Sequence, residues 1–431
     1  MQIIINFAVA KVMRHFYTPK LYHSLVKELL SCVKSASKSE QKKTCLLEAG
    51  RICHTLASEI LTCQYQPEPY HHFAITEPKL REIYAPAFKD RIVQMWIVSQ
   101  LEKAISHLMI DDTYATQLNK GTFAAINKAQ KLMRKPHYRV AMQLDIYSYF
   151  NHINKARLKD RLVALIETPP QSIGQFHPVK KHILLYLIEQ ILQQDAAREN
   201  NLQTNNHRLL AQIPPHKRLS FSQQGVGLPI GSVTSQMFGN FYLNDLDHFC
   251  KHTLKIKGYI RFMDDLIVLS DNIAQLKIWK NHIDAFLKQQ LLLTLHPHKT
   301  KIKVIEHGVD YLGYTVYPHY KTIRPSTLHT FKARLRYFNA LLEPDLFPNT
   351  APPDRGVWQR WHKQGLTPAL SPTLLKAMQS TINSYFGLLS HGSHCRLRKS
   401  LYHDHFHYLK RYMMPKDHRY SAIKIKKNLP F

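Results

Sequence analysis

Two apolar strands flank a turn in the stretch Tyr259-Ile-Arg-Phe-Met-Asp264-Asp265-Leu-Ile-Val-Leu269, and the turn carries two adjacent acids. Strands disfavour Asp, and two like charges a few ångströms apart raise a carboxyl pKa unless a cation neutralises them. Mg²⁺ is such a cation, because it binds carboxylate oxygens together with substrate phosphates. A lone Asp-Asp pair is more often an ordinary hairpin turn. The interpretation therefore depends on the rest of the chain.

A third acid, Asp145, ends another apolar strand, Met142-Gln-Leu-Asp145, more than a hundred residues earlier. Taken alone, Asp145 is equally well interpreted as the N-cap of a following helix. If its strand pairs with the hairpin, the sheet brings three carboxylates together. Three acids on adjacent strands can supply the ligands of two metal ions about 3.5–4 Å apart. We therefore expect a two-metal site that activates a hydroxyl and stabilises a leaving pyrophosphate.

The composition indicates a polyanionic partner. Lys and Arg total 59 against 30 Asp and Glu, which gives the 431-residue chain a formal charge of +29. Such an excess favours nucleic acid, with an anionic membrane surface as the competing interpretation. The apolar start at residues 1–10 is shorter than the roughly 20 residues of a membrane span. We therefore expect no membrane partner. The six cysteines lack C-x-x-C spacing, so we expect reduced thiols in a cytoplasmic protein.

Hydrophobic periodicity predicts alternating helical and extended regions. The expected elements are helices over most of 1–70, an extended stretch at 73–83, a helix at 87–108, a strand at 139–146, helices at 152–166 and 177–200, strands at 258–271 and 290–317, and helices through the last 105 residues, interrupted by a proline-rich loop at 345–355.

The motifs resemble those of reverse transcriptases in identity and order. Asp145-x-x-x-x-Phe150, Phe262-Met-Asp-Asp265 and Gly227-Leu-Pro-Ile-Gly-Ser-Val-Thr-Ser-Gln236 resemble motifs A, C and B of that family. Phe262 stands where the family usually has Tyr. Further similarities are Lys79-x-Arg81-x-Ile83, Asp90-Arg91, Lys120-Gly-Thr122, Lys299 and Tyr311-Leu-Gly-Tyr314, so that the resemblance covers residues 73–325.

This resemblance implies an α+β right-hand polymerase with a ferredoxin-like antiparallel palm sheet and helical fingers and thumb. The expected domains are an N-terminal helical extension at 1–70, fingers at 71–140 with 165–220 inserted, a palm at 141–325, and a helical thumb with a basic tail at 326–431. In the thumb, Arg396-Leu-Arg398-Lys399 and Lys424-Ile-Lys-Lys427 suit a duplex backbone. The implied activity is RNA-directed DNA synthesis from dNTPs on a template RNA, which passes through a cDNA/RNA duplex.

The resemblance also implies a role for each matching residue. Asp145, Asp264 and Asp265 would bind two Mg²⁺ ions, with Mn²⁺ as a substitute, and Ile146 would offer its carbonyl to a metal. Lys79 and Arg81 would hold the triphosphate, and Lys299 would protonate the pyrophosphate. Phe150 would exclude a ribose 2′-hydroxyl, and Ile230, Gly231 and Gln236 would contact the substrate. The alternatives are that the cations are solvated charges and that Phe150 is a core residue.

Motif B points to a subfamily. Most reverse transcriptases have Q-G-x-x-x-S-P there, whereas this chain has Ile230-Gly231-Ser-Val-Thr-Ser-Gln236, which is similar to the enzymes of diversity-generating retroelements. That resemblance implies a prokaryotic, cytoplasmic enzyme that copies a template-repeat RNA with errors opposite adenines, for mutagenic retrohoming. It also implies a small basic accessory protein that forms a ring. Ile230 cannot hydrogen-bond near the nascent pair, which would weaken discrimination that rests on a polar contact.

Other interpretations remain open at this point. The chain could be a retron, phage-defence or group II intron-type reverse transcriptase, or a catalytically silent RNA-binding scaffold. Histidines near Cys395 suggest zinc, but their spacing does not match that of structural zinc sites.

Overall fold

The computed structural model describes residues 18–36, 42–76, 79–198, 203–204, 207–343, 370–392 and 394–427. The loop predicted at 345–355 lies outside these residues. The helices are α1 Pro19–Ala36, α2 Lys42–Leu61, α3 Phe88–Leu108, α4 Thr122–Met133, α5 Tyr149–His152, α6 Lys155–Glu167, α7 Pro178–Gln193, α8 His207–Leu210, α9 Val233–Tyr242, α10 Asn244–His248, α11 Ile273–Phe286, α12 Pro325–Leu342, α13 Pro372–Ser390, α14 Cys395–His405 and α15 Leu409–Tyr412.

The strands alternate with these helices. They are β1 His71–Ile75, β2 Arg81–Ala85, β3 Val140–Asp145, β4 Gln203–Thr204, β5 Tyr259–Phe262, β6 Asp265–Ser270, β7 Lys301–Val304, β8 Val309–Tyr311, β9 Tyr314–Val316, β10 Lys321–Ile323, β11 Met413–Pro415 and β12 Ile423–Ile425.

The central sheet has four antiparallel strands in the order β5-β6-β3-β7. Helices connect β3 to β5, and α11 connects β6 to β7, so the connectivity is β-α-β-β-α-β, as in ferredoxin-like folds. Strands β3 and β6 are buried almost throughout, which explains why their sequences are nearly continuous apolar runs. The predicted strand at 139–146 and the predicted hairpin at 258–271 are both confirmed.

Smaller sheets flank the central one. β1 and β2 form an antiparallel hairpin beside the short β4, and β8, β9 and β10 form an antiparallel meander. The side chain of Gln143 in β3 donates a hydrogen bond to the carbonyl of Asp310 in β8 and so joins the meander to the central sheet.

Helix α1 shows how local sequence starts an element. Thr18 Oγ1 accepts a hydrogen bond from the amide of Leu21 at 3.2 Å, and Pro19 occupies the first turn. Leu25, Leu29 and Val33 then recur on one buried face. The helical prediction for 1–70 is confirmed in α1 and α2, whereas residues 1–17 and 37–41 lie outside the described parts.

The prediction of helices through the last 105 residues is wrong near the end. Helices α13 and α14 are present, but β11 and β12 form an antiparallel hairpin that contains Lys424 and Ile425 of the predicted basic tail. Because Met413 and Ile423 alternate with exposed lysine and methionine, the hairpin buries one face against the C-terminal helices. Strand material at 290–317 is confirmed only from Lys301 onward.

Three main cores hold the chain together, and one of them packs α4, β8 and β9 against one face of the central sheet. The larger core joins the N-terminal helices, α6, α7 and one face of the central sheet. The second core lies within residues 323–425 and is built from α12, α13, α14 and the final hairpin. The predicted domain boundaries remain predictions. Within the described residues, no helix combines the length and apolar character that crossing a membrane requires.

Candidate active site

Three aspartates meet at one end of the central sheet. Asp145 is the last residue of β3 and lies directly opposite Asp265, the first residue of β6. Asp264 precedes it in the β5–β6 turn, where Met263 has a left-handed φ of 54°. Opposing residues of an antiparallel pair share a face, and like charges placed opposite each other are unfavourable. The arrangement is therefore poor for sheet stability and calls for a cation.

The electrostatics of the cluster reflect this crowding. Burial raises the pKa of Asp264 to about 7, and the charges of Asp265 and Asp145 add to the effect, while Arg81 opposes it. The pKa of Asp265 is raised by partial removal from water and by Asp145. Lys79 is among the cations that oppose that second shift. At neutral pH the cluster therefore retains a proton on Asp264 for part of the time.

Lys299 provides a cation for Asp145. Its Nζ donates a hydrogen bond to Asp145 Oδ2 in an ion pair, while 55% of the lysine side chain stays exposed. The amide of His296 donates to the Asp145 carbonyl at 2.7 Å, which fixes the lysine-bearing loop against β3. Ile146 is buried and forms an isolated antiparallel bridge with Leu295. These backbone hydrogen bonds therefore hold the loop that carries Lys299 next to the aspartates.

Two further predicted cations face the cluster from the β1–β2 hairpin. Lys79 and Arg81 are exposed, and Arg81 begins β2. Their positive charges act on Asp265 and Asp264 respectively, as the pKa shifts of those acids show. The hairpin cations therefore lie near enough to oppose the raised pKa of these two acids, as Lys299 also does for Asp265.

The motif B loop is attached to the same hairpin. The Tyr84 amide donates to the Ile230 carbonyl at 2.8 Å. Gly231 has a φ of 126°, and a Cβ built there would lie 2.7 Å from the Tyr84 carbonyl oxygen. Only glycine fits this close backbone approach. Gln236 follows on the exposed side of α9.

Phe150 is half-buried next to α9. A Cβ built at Gly239 would lie 3.1 Å from Phe150 Cε1, so the ring packs on the bare backbone of this glycine. The ring also packs against the larger core. Because the Phe150 ring is only partly buried, it can pack against the core and still contact a bound substrate.

Sequence reasoning missed the residue that anchors the acidic turn. Arg261 in β5 is fully buried and forms an ion pair with the equally buried Asp247, with Nε to Oδ1 at 2.7 Å. It also donates to the side chain of Asn240 at 2.7 Å and to the carbonyl of Met263 at 3.1 Å. The available signal was a charged residue between apolar neighbours in a buried strand, which is rare without a partner. Arg261 thus ties the turn that carries Asp264 to α9 and α10.

One predicted duplex contact is wrong. Arg398 is buried, and it donates to the carbonyls of Leu389 at 2.9 Å and Arg419 at 3.0 Å. It therefore joins α13, α14 and the final turn, whereas Arg396 and Lys399 are exposed. Within this segment, Arg396 and Lys399 remain available to a polyanion.

The donor chemistry of the site fits a hard divalent cation. Three carboxylates lie at one sheet end, the pKa of Asp264 and of Asp265 is raised there, and carboxylate oxygens are the ligands that Mg²⁺ prefers. Across the described ranges, however, no three His, Cys, Asp or Glu side chains are arranged closely enough to hold a metal ion. One of the histidines near Cys395, His394, uses its Nε2 to accept a hydrogen bond from the Ile323 amide at 3.2 Å, so this nitrogen is already engaged and does not support the zinc interpretation.

Residues 76–316, more than half of the chain, match the family model described as reverse transcriptase (RNA-dependent DNA polymerase). The chain belongs to the reverse transcriptase family. The family predicted from residues 73–325 is thereby confirmed, over nearly the same span. Members of this family generally use divalent metal ions. No curated protein sequence matches the chain.

Solved telomerase structures are similar to this reverse transcriptase chain at low identity. Telomerase from Candida albicans in complex with a TWJ fragment of telomeric RNA is 13% identical, with a TM-score of 0.39, 79% of this chain covered and 60% of that chain. Telomerase from Candida tropicalis in complex with a TWJ fragment is 14% identical, with a TM-score of 0.41, 85% of this chain and 68% of that chain. The apo form from Candida tropicalis is 13% identical, with a TM-score of 0.42 and coverages of 78% and 61%. The chain thus spans about 60% of the length of the first of these structures.

Proposed function

We propose that this chain is an RNA-directed DNA polymerase that extends a primer with dNTPs along a template RNA. The observation that carries the proposal is the convergence of Asp145, Asp264 and Asp265 at one end of the central sheet, with lysine and arginine around them. In this proposal the central sheet is the palm, the β1–β2 hairpin belongs to the fingers and residues 326–431 form the thumb.

The proposed roles follow from position and charge. Asp145, Asp264 and Asp265 would hold two Mg²⁺ ions, with Mn²⁺ as a substitute and with the Ile146 carbonyl as a further ligand. When bound, such ions lower the pKa of an attacking hydroxyl and stabilise a leaving pyrophosphate oxygen. Lys299 is held beside Asp145 and would give a proton to the departing pyrophosphate once a metal displaces it from that carboxylate.

The hairpin and motif B residues would bind the incoming nucleotide. Arg81 offers a planar fork of donors to the triphosphate, and Lys79 offers a compact charge. Ile230 and Gly231, in the loop that is attached to β2, and Gln236, on α9, would line the nascent base pair. Phe150 would exclude a ribose 2′-hydroxyl, because its ring is backed by Gly239 and cannot retreat without moving α9.

Primer extension on an RNA template tests the proposal. The wild-type chain with Mg²⁺ is compared with Asp264→Asn and Asp265→Asn, and with Asp160→Asn as a matched control, since Asp160 is an exposed carboxylate in α6. We expect cDNA from the wild type and the control, and a loss of at least 10³-fold in the two site variants, on the order of the electrostatic contributions in such sites. Equal synthesis by all four chains, or none by the wild type, would contradict the proposal.

We further propose that the chain belongs to a prokaryotic, cytoplasmic diversity-generating retroelement, where it copies a template-repeat RNA for mutagenic retrohoming with a small basic ring-forming accessory protein. The support is Ile230, an aliphatic side chain at a position that usually offers an amide to the nascent pair. We expect Ile230→Gln to lower the error frequency opposite template adenines, and sequencing of cDNA measures it. An unchanged adenine error frequency would contradict this part and leave the polymerase proposal intact.

A further inference from the structure

A groove lies at the end of the central sheet opposite to the aspartates. Val140 begins β3 there and pairs with Ser270 and Val304. The rise of about 3.3 Å per strand residue places this end about 17 Å from Asp145. A hollow of about 560 Å³ is bordered by residues 133–136, 138–139, 304–306 and 317–320.

A second hollow of about 410 Å³ extends the first. It shares His319 and Tyr320 with the first hollow and reaches Ser390 at the end of α13. The two hollows together are called the distal groove below. The distal groove therefore runs from the sheet to the C-terminal helices.

The lining of the distal groove is basic. Arg134, Lys135 and Arg139 are exposed along one part, Lys321 lies in the other, and Glu306 is the single acid among the lining residues. Throughout the described residues, no carboxylate lies within ion-pair distance of the first three cations. Their charge is therefore available to an anionic ligand.

An aromatic platform lies beside these cations. Tyr317 and Tyr320 stack with centroids 4.3 Å apart and an interplanar angle of 15°, and Tyr320 is 55% exposed. Arg134 Nε donates to the Pro318 carbonyl at 2.7 Å, which holds the β9–β10 turn in place. The platform is thus pre-ordered, with one large ring surface left open.

We propose that the distal groove binds single-stranded RNA, namely template RNA that flanks the copied duplex. Cations that follow a backbone, combined with an exposed aromatic ring, form the usual surface for single strands, because any unpaired base can stack. Bases in a duplex are already stacked on each other, so they are not free to stack on a protein ring. This inference rests on the proposed polymerase function for the identity of the RNA.

Binding of fluorescent oligouridylate RNA to the full chain tests the proposal. The first variant is Tyr320→Ala, for which we expect about 5- to 100-fold weaker binding, as for the loss of one stacked base. The second is Arg134→Glu with Lys135→Glu, for which the salt dependence of log affinity should become less steep by about 0.7 for each lost phosphate contact. Lys20→Glu with Lys27→Glu, both exposed on α1, is the control of equal charge change.

The result expected is weaker oligouridylate binding in the groove variants and unchanged binding in the control. Extension of a minimal RNA–primer duplex, whose template overhang is only a few nucleotides long, should be unchanged in all variants. Unchanged binding in both groove variants, or an equal loss in the control, would overturn the proposal. Thermal unfolding shows whether each variant is folded.

A second measurement needs no variant. Oligouridylate containing 4-thiouridine is photo-crosslinked to the wild-type chain, and the linked peptides are identified. Crosslinks at Tyr317–Tyr320 are expected, and crosslinks confined to other segments would overturn the proposal. If oligouridylate binds this groove but the wild type makes no DNA, the polymerase proposal fails while RNA binding by the groove stands.

Discussion

Neutralising Asp264 should stabilise the metal-free protein. Its pKa of about 7 in the folded chain, against the ordinary value of 3.8, means that ionisation is disfavoured by folding. Because the folded pKa is raised, folding stability falls as pH rises from about 4 to 7 and is then constant. The full difference corresponds to about 4 kcal/mol. Since Asp264 is only half-buried, solvent screening should reduce this to about 1–3 kcal/mol.

The assay is denaturant unfolding of wild type and Asp264→Asn between pH 4 and 8, with chelator present. The two chains should be about equally stable near pH 4. The stability of the variant should exceed that of the wild type increasingly as pH rises, and the difference should reach its full size above pH 7. Adding Mg²⁺ at pH 8 should stabilise the wild type, since a ligand that binds only the folded chain adds to its stability. The same addition should leave the variant nearly unchanged.

Asp160→Asn serves as the control and should change stability by less than about 0.5 kcal/mol at all pH values. The reasoning fails if Asp264→Asn is less stable than the wild type at pH 8 in chelator. It also fails if the difference between the two chains does not depend on pH, because then the gain would not come from ionisation of this carboxyl.

Three further substitutions test other parts of the structure. Arg261→Met should lower the free energy of unfolding in urea by about 3–5 kcal/mol, because it leaves Asp247 buried without its cation. The double variant Arg261→Met with Asp247→Leu should recover part of that loss of stability, and no recovery would refute the argument. Gly231→Ala should lower the free energy of unfolding by about 1–3 kcal/mol and slow primer extension, because the added Cβ meets the backbone of β2. The control Gly387→Ala, in an open helical position, should be neutral or stabilising. Equal effects of the two substitutions would contradict the role of the left-handed φ at Gly231. Phe150→Ala should raise kcat/KM for ribonucleotides relative to deoxynucleotides by up to about 10²-fold, and an unchanged ratio would support the interpretation of Phe150 as a core residue only.

The central sheet and its acids were predictable because their signals are local. An apolar run of strand length that ends in Asp145, and a hairpin whose turn holds two acids, each indicate one strand end. Once the strands pair, the register follows from which faces are buried, and it sets Asp145 opposite Asp265. The family follows from the order of the motifs along the chain.

Features that depend on distant partners were not predictable. A charged residue is normally exposed, so the burial of Arg261 and Arg398 becomes clear only when Asp247 and the carbonyls they reach are brought together by folding. The final hairpin was missed because its apolar positions, Met413 and Ile423, lie in short segments with lysine and proline. Three-residue strands have too few alternations to be distinguished from a loop.

The hydrogen bond from Tyr84 to the Ile230 carbonyl has a consequence for how this chain can evolve. It connects β2, which carries Arg81, to the loop proposed to border the nascent base pair, although 146 positions separate the two bonded residues in the chain. We therefore expect a displacement of one segment to move the other, so that, in the proposed function, contact with the triphosphate and discrimination at the base pair would change together. Substitutions that retune copying errors should therefore arise together with compensating changes in β2.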